Sequence, residues 1–320
     1  MSLAVAKAVD VAGLVDRARD GEPRAVARLI SLVEQGSSAL PEVAAALAPH
    51  TGDAQVVGIT GAPGVGKSTS TNALVRAYRE QGRRVAVIAV DPSSPFSGGA
   101  LLGDRVRMGD HATDPGVFIR SMATRGHLGG LSWATPQTLR VLDAAGFDVI
   151  LVETVGVGQS EVEIVALADT TLVLLAPGMG DGIQAAKAGI LEIADVFVVN
   201  KADRDGADQT ARDLKYMISL GRRDREGPLW RPPVVKTVAA RTEGLDRVVE
   251  AIAEHRSWLA AHGELEGRRL RRAGAEIEAI AVERVRTRFG AVDQLAKRVV
   301  SGELDPFAAA EQLISGNLRS

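Results

Sequence analysis

The sequence predicts an α/β fold: a doubly wound, mostly parallel sheet with helical extensions at its N- and C-terminal ends. Two observations carry the prediction. Short runs rich in Val, Ile and Leu at 56–59, 84–90, 147–153, 172–176 and 196–199 alternate with helical stretches; strands of a parallel sheet are buried on both faces and so read as continuous apolar runs. The first run also passes directly into a glycine-rich loop and then a segment of good helix formers, which is the start of a βαβ unit. At 320 residues the chain suits one large α/β domain with appendages. We divide it into a helical segment at 1–50, a central domain at 51–255 and a helical arm at 256–320.

Residues 1–50 are read as helical because Val11, Leu14, Val15 and Ala18, then Val26, Leu29, Ile30 and Val33, recur at three- and four-residue steps. They form either a packed appendage or a partner-docking hairpin. Lys7, Asp10, Asp16 and Arg17 stand where a signal peptide needs an apolar core, and no run of about 18 apolar residues follows, so we expect a cytoplasmic protein that engages no membrane. A formal charge of −2 gives no overall pull toward nucleic acid, and none is expected as a partner. With no cysteine and five scattered histidines, thiolate metal sites and disulfides are excluded.

The first apolar run leads into Gly61-Ala62-Pro63-Gly64-Val65-Gly66-Lys67-Ser68-Thr69, which fits G-x-x-x-x-G-K-[ST] at every position and marks the P-loop NTPase form of the fold. Glycines let the backbone turn successive N–H groups inward toward phosphate oxygens. Lys67 is placed to reach the β- and γ-phosphates, Ser68 to offer its hydroxyl to Mg²⁺, and the following helix to present its positive end. The second run ends in Asp91, at the strand edge where ligands of open parallel sheets bind; Asp91-Pro92 is also ordinary turn chemistry. The glycine-rich, polar segment 96–135 reads as switch loops. Within it, Asp104 is a candidate for the Mg²⁺ shell and Arg107 either stabilises charge on the transferred phosphoryl group or is a surface residue.

The third run ends in Glu153, a second acidic candidate for Mg²⁺, and Gly156 follows three residues later with a backbone N–H for the γ-phosphate. The run at 196–199 leads into Asn200-Lys201-Ala202-Asp203, the N-K-x-D pattern: Asp203 accepts from the ring N–H and the exocyclic amine of guanine, a pair adenine does not offer, while the Lys201 stem covers the base. The backbone of Ala239-Ala240-Arg241 is expected to close over the base. GTP/GDP with Mg²⁺ is therefore the expected cofactor set. From about residue 245 onward the chain is helical again, and Arg268, Arg269, Arg271 and Arg272 form a basic cluster flanked by glutamates, read as a solvated or intersubunit face in preference to an RNA-binding patch. An arm of this kind buries its apolar stripe best against a second copy.

The stretches GITGAPGVGKST, VIAVDPSS, LLGDRVRM, SMATRGHLGGLS, ILVETVGVGQSE and VVNKAD resemble the MeaB family, also called the ArgK family: G-protein chaperones of adenosylcobalamin-dependent methylmalonyl-CoA mutase. The resemblance covers roughly residues 15–290. It implies a GTPase that protects the mutase and gates its cofactor loading, a C-terminal homodimerisation arm, and methylmalonyl-CoA mutase as partner. It carries over Lys67 and Ser68 for phosphate and Mg²⁺, Asp91, Asp104 and Glu153 around the metal, and Asp203 for guanine. Segment 177–187 falls where the family has a third switch facing the mutase, although Gly182, Ala185 and Ala186 depart from its more polar pattern. Two other readings of the same motifs are a metal-insertion GTPase, which the lack of cysteine disfavours, and a transport-protein kinase, which the guanine motif disfavours.

Overall fold

The structure, a computed structural model, describes residues 9–91, 109–111, 113–123, 134–154, 160–178, 190–220, 229–286 and 292–317. Asp104, Arg107, Gly156 and most of segment 177–187 lie outside the described residues, as does the side chain of Asp91. Contacts divide the chain into two units, Met1–Arg269 and Leu270–Ser320. The 255/256 boundary expected from the sequence falls inside a continuous helix, Leu245–Ala261.

In the first unit, three helices, α1 (Val11–Arg19), α2 (Pro23–Glu34) and α3 (Leu40–Leu47), precede β1 (Gln55–Gly61) and α4 (Lys67–Glu80). There follow β2 (Val85–Asp91), β3 (Val117–Ala123), α5 (Thr135–Ala144), β4 (Val149–Thr154), α6 (Ser160–Leu167), β5 (Thr170–Leu175), α7 (Ile190–Ile193), β6 (Val196–Val199), α8 (Ala207–Leu220), β7 (Val234–Lys236) and α9 (Leu245–Ala261). The seven strands form one sheet in the order β3-β2-β4-β1-β5-β6-β7, parallel at every pairing.

A parallel sheet must be covered on both sides, and residue alternation along each strand sorts its side chains between two layers. Ala86, Ile88 and Val90 of β2, with Ile150 and Val152 of β4, pack into one core together with α1, α2, α3, α5 and α6. Their neighbours Val85, Val87, Val149 and Leu151 point to the opposite face, where α4 and α9 lie. On the first face beyond β1, Val173, Leu175, Phe197 and Val199 meet α8. Helix α6 approaches β1 so closely that a Cβ on Gly58 would stand 2.8 Å from Ile164 Cγ1. The N-terminal helices thus share their core with the sheet: Val26, Leu29 and Ile30 are fully buried with Val90 and Ile150.

Strand β3 departs from the sequence reading, which placed 117–123 inside a switch segment. It pairs in register with β2 from Val85↔Val117 to Asp91↔Ala123. As an edge strand it is only half-buried along most of its length, so it lacks the continuous apolar signature of the central strands. Arg120 on β3 forms an ion pair with Glu34 of α2, which ties the N-terminal helices to this edge.

The second unit comprises the helix that begins at Glu264, from Leu270 to Arg286 (α10, Glu264–Arg286 in full), with α11 (Val292–Val300) and α12 (Pro306–Asn317). Arg298 joins the last two, bonding Glu303 Oε1 at 2.9 Å and Gln312 Oε1 at 3.1 Å. Among the described residues no helix is long and apolar enough to cross a membrane.

Candidate functional site

The connections leaving β1 and β4 depart toward opposite faces, through α4 and α6 respectively. This reversal opens a crevice at the carboxyl ends of those adjacent strands, where ligands of such sheets bind. The loop 61–66 fills its mouth. Two glycines there are required by geometry. Gly61 has φ +140° and a Cβ on it would sit 2.3 Å from the Leu174 carbonyl oxygen; Gly66 has φ +95° and a Cβ would sit 2.4 Å from Asn200 Nδ2. Neither position accommodates an L side chain.

Gly66 caps α4, whose first residues are Lys67 and Ser68. Lys67 is buried and its ammonium donates to the carbonyls of Gly61 at 2.8 Å and Ala62 at 3.3 Å, so its side chain curls back over the loop. Ser68 Oγ donates to Glu153 Oε1 at 2.7 Å, and Thr71 Oγ1 donates to Glu153 Oε2 at 2.9 Å. Both carboxylate oxygens are thereby fixed to the first turns of α4, and Glu153 is 5% exposed. Thr71 was not singled out from the sequence; its place four residues after Lys67, one turn along α4, is the signal that would have found it.

A hydroxyl and a carboxylate at the N-terminal end of α4 are hard oxygen donors, the kind Mg²⁺ takes beside phosphate oxygens and water. The residues present fit that ion: Ser68 and Glu153 would hold it, and it would supply charge neutralisation at the phosphates.

The N-K-x-D residues meet the same loop from β6. Asn200 is buried; its Nδ2 donates to the Val65 carbonyl at 2.9 Å and its Oδ1 accepts from the Ala239 N–H at 3.0 Å and from Thr237 Oγ1 at 3.3 Å. One amide therefore clamps the phosphate loop to the 3₁₀ turn Ala239–Arg241. Lys201 adopts φ +55°, and its ammonium donates to the Gly64 carbonyl at 2.6 Å, which lays its methylene stem along the loop. Asp203 remains half-open, 41% exposed with Arg241 Nη1 at 3.8 Å. The structure thus brings residues 61–69, Glu153, Asn200, Lys201 and the 239–241 turn to one edge of the sheet, with Asp203 beside them. It describes Asp91 as the last residue of β2.

The opposite edge carries a second polar cluster that the sequence reading assigned differently. Asp195, just before β6, accepts from the Thr171 N–H at 2.8 Å and from both terminal nitrogens of Arg268 at 2.8 Å, with His255 Nε2 3.2 Å away. Burial pushes the Asp195 carboxyl up, but hydrogen bonds from His255 and Arg268 and their positive charge outweigh it, so its pKa is lowered. Arg269 donates to the Ala54 carbonyl at 3.2 Å and lies 3.7 Å from Asp169. Arg268 and Arg269 are therefore not a freely solvated face; they are about three-quarters covered within their own unit.

With this geometry in place, comparison with known proteins is informative. The family described as methylmalonyl-CoA mutase-associated GTPase MeaB matches residues 26–294. A relative from Pyrococcus abyssi (strain GE5 / Orsay) is 49% identical over 307 residues, covering 94% of this chain and 95% of its own. The mitochondrial methylmalonic aciduria type A homolog of Mus musculus is 36% identical over 266 residues, 81% of this chain and 64% of its own. Among solved structures, a protein titled LAO/AO transport system kinase aligns over 100% of both chains with a TM-score of 0.70 and 29% identity.

Proposed function

The chain belongs to the MeaB family of methylmalonyl-CoA mutase-associated GTPases, and from that premise we propose that it binds GTP with Mg²⁺, hydrolyses it, and acts as a chaperone that gates cofactor loading of an adenosylcobalamin-dependent methylmalonyl-CoA mutase. The observation that carries the reading is the clamp at the sheet edge, in which Asn200 and Lys201 of the guanine motif bond directly to the phosphate loop. A ligand long enough to span both would be gripped at base and phosphates together. On this reading Lys67 would exchange its loop carbonyls for β- and γ-phosphate oxygens, Ser68 and Glu153 would hold Mg²⁺, and the Gly61–Thr69 N–H groups would cradle the phosphates. Asp91, Asp104, Arg107 and Gly156 are assigned to the metal shell, charge stabilisation and γ-phosphate sensing on their sequence positions.

The functional test is GTP hydrolysis measured with and without an adenosylcobalamin-dependent methylmalonyl-CoA mutase. We expect at least about tenfold stimulation, on the order of 1.4 kcal/mol in the barrier. An unchanged rate together with no co-migration of the two proteins would sink the chaperone assignment, and equal turnover of ATP and GTP would favour a kinase-like reading.

Guanine recognition is tested separately. Asp203→Asn is expected to weaken GTP by at least about 2 kcal/mol and to improve XTP, since xanthine offers an acceptor where guanine has its exocyclic donor. Retained preference for GTP over XTP in competition binding would remove Asp203 from the base site.

The second unit supports a homodimer. Leu270, Ala273, Ile277 and Ile280 follow a 3-4 spacing along α10, the period of a helix–helix seam, and Leu270 and Ile277 are 66% and 68% exposed in the single chain. Isolated exposed apolar residues are ordinary, but a contiguous seam marks an interface. Ile277→Asp should convert a dimer to a monomer by light scattering, with basal GTP hydrolysis within a few-fold of the parent; a parent that is already monomeric at 50 micromolar would rule the dimer out, a concentration chosen on the order of a weak interface's Kd.

A further inference from the structure

Beyond the guanine motif the sheet ends at β7, which among the described residues has a neighbour on one side only. Phe197 N–H donates to the Pro233 carbonyl and Thr237 N–H to the Val199 carbonyl, both at 2.9 Å. Residues 233, 235 and 237 therefore turn their backbone groups to β6, and alternation directs those of Val234 and Lys236 outward. Beside this edge lies a cavity of about 350 Å³ bounded by α8, β7 and the first turn of α9. Its floor includes Ala211, Val234 and Val235, and its rim carries Arg212, Lys215, Lys236 and Arg247 against a single carboxylate, Asp208.

The charge balance is uneven for reasons visible in the contacts. Lys236 Nζ bonds Asp208 Oδ1 at 2.6 Å, and that hydrogen bond, then the charges of Lys236 and Arg212, lower the Asp208 pKa. The one carboxylate is thus already taken. Arg212 and Lys215, three residues apart on α8, project from the same side of the helix. Lys215 and Arg247 make no ion pair among the described residues, and all four cations are exposed. In a chain whose formal net charge is −2, a positive rim around an apolar floor on a free strand edge is a local arrangement and not a consequence of composition.

We propose that this groove is a docking site for an acidic, extended segment of a partner protein, laid along β7 with its carboxylates toward Arg212, Lys215 and Arg247. An extended segment suits the edge because open strands recruit strands, and the carboxylates supply the charge that the rim lacks. The occupant would lie next to Thr237, whose carbonyl accepts from the Ala202 N–H at 3.0 Å, and so one residue from the guanine motif. This inference does not depend on the identity of the mutase partner.

The test uses the full chain and a fluorescein-labelled (Glu-Thr)5 peptide in an anisotropy titration, with (Ser-Thr)5 as the neutral counterpart. The acidic peptide is expected to bind at least about tenfold more tightly than the neutral one, and more weakly as salt is raised, because exposed charges are screened. Arg212→Glu with Lys215→Glu and Arg247→Glu should weaken it by at least about tenfold, while Arg24→Glu, an exposed reversal on α2, leaves it unchanged. The melting temperature and GTP affinity of the triple variant should match the parent; if it does not fold, Lys215→Glu alone should weaken the peptide by at least about threefold. Equal binding of acidic and neutral peptides, or equal affinity in parent and reversed proteins, overturns the proposal. So does full displacement of the peptide by a few millimolar inorganic phosphate, which would identify a small-anion site, a loose surface attraction being on the order of millimolar in Kd.

Discussion

Lys67→Ala is expected to abolish measurable GTP binding while leaving the fold intact. Lys67 is the cation that curls over loop 61–66, holding the Gly61 and Ala62 carbonyls at 2.8 and 3.3 Å. When a triphosphate enters, its oxygens compete for that ammonium, and each charge-assisted bond is worth roughly 1.5–3 kcal/mol. Two such bonds lost amount to a factor of at least about a hundred in affinity. The loop N–H groups remain, but they are neutral donors and do not replace a full charge. Isothermal titration with GTP and GDP measures the effect directly. GDP should lose less than GTP, because only the triphosphate presents a γ-phosphate to Lys67. Unchanged affinity for both nucleotides would show that the loop is not the site, whatever its sequence.

Asp195→Ala is the counterpart for stability, with an expected loss of about 3–5 kcal/mol, the range for removing one partner of a buried ion pair. The carboxylate is 9% exposed and serves Arg268, the Thr171 N–H and His255 at once. Its removal strips Arg268 of its carboxylate, leaving it the Asp169 carbonyl at 3.0 Å, and takes away the charge 3.2 Å from the fully buried His255. Chemical denaturation should show a lower midpoint at unchanged slope. The sign of the pH dependence follows from the depressed carboxyl pKa. The stabilisation is complete above the unfolded value of about 3.9 and is lost as pH falls through the folded value, so the gap between parent and variant should hold from pH 7 to about pH 5 and close in stronger acid. The cluster sits at the edge opposite the phosphate loop, so GTP affinity of the folded variant should match the parent. A stability loss under about 1 kcal/mol would mean that solvent reaches the cluster and replaces the carboxylate.

The alternating runs and the two contiguous motifs were legible in the sequence because each is a local code. A phosphate loop is written in eight adjacent residues whose backbone conformations are set by glycine. The central strands β1, β2, β4, β5 and β6 are apolar on both faces because both are covered, so periodicity marks them without knowledge of their neighbours. Asp203 and Lys201 follow from one strand end for the same reason.

Tertiary structure decided the rest, wherever the partner is remote in the chain. Thr71 reaches Glu153 across 82 residues, Asn200 reaches Val65 across 135, and Arg268 reaches Asp195 across 73. No local pattern encodes such pairs, because any polar residue on a surface helix presents the same letters whether or not a carboxylate faces it. The four-arginine run looked like a solvated face by composition, yet two of its members are spent inside their own unit on Asp195, Asp169 and the Ala54 carbonyl. Strand β3 was hidden by the converse effect: an edge strand needs burial on one flank only, so its sequence stays mixed and its identity comes from the in-register backbone bonds that β2 offers it. The sequence by itself determined the phosphate-loop and N-K-x-D patterns and the central strands with the helices between them, since those depend on neighbours in the chain; which side chains lock the loop and Glu153, and which close the opposite edge of the sheet, was decided by the packing that brings distant residues within hydrogen-bond reach.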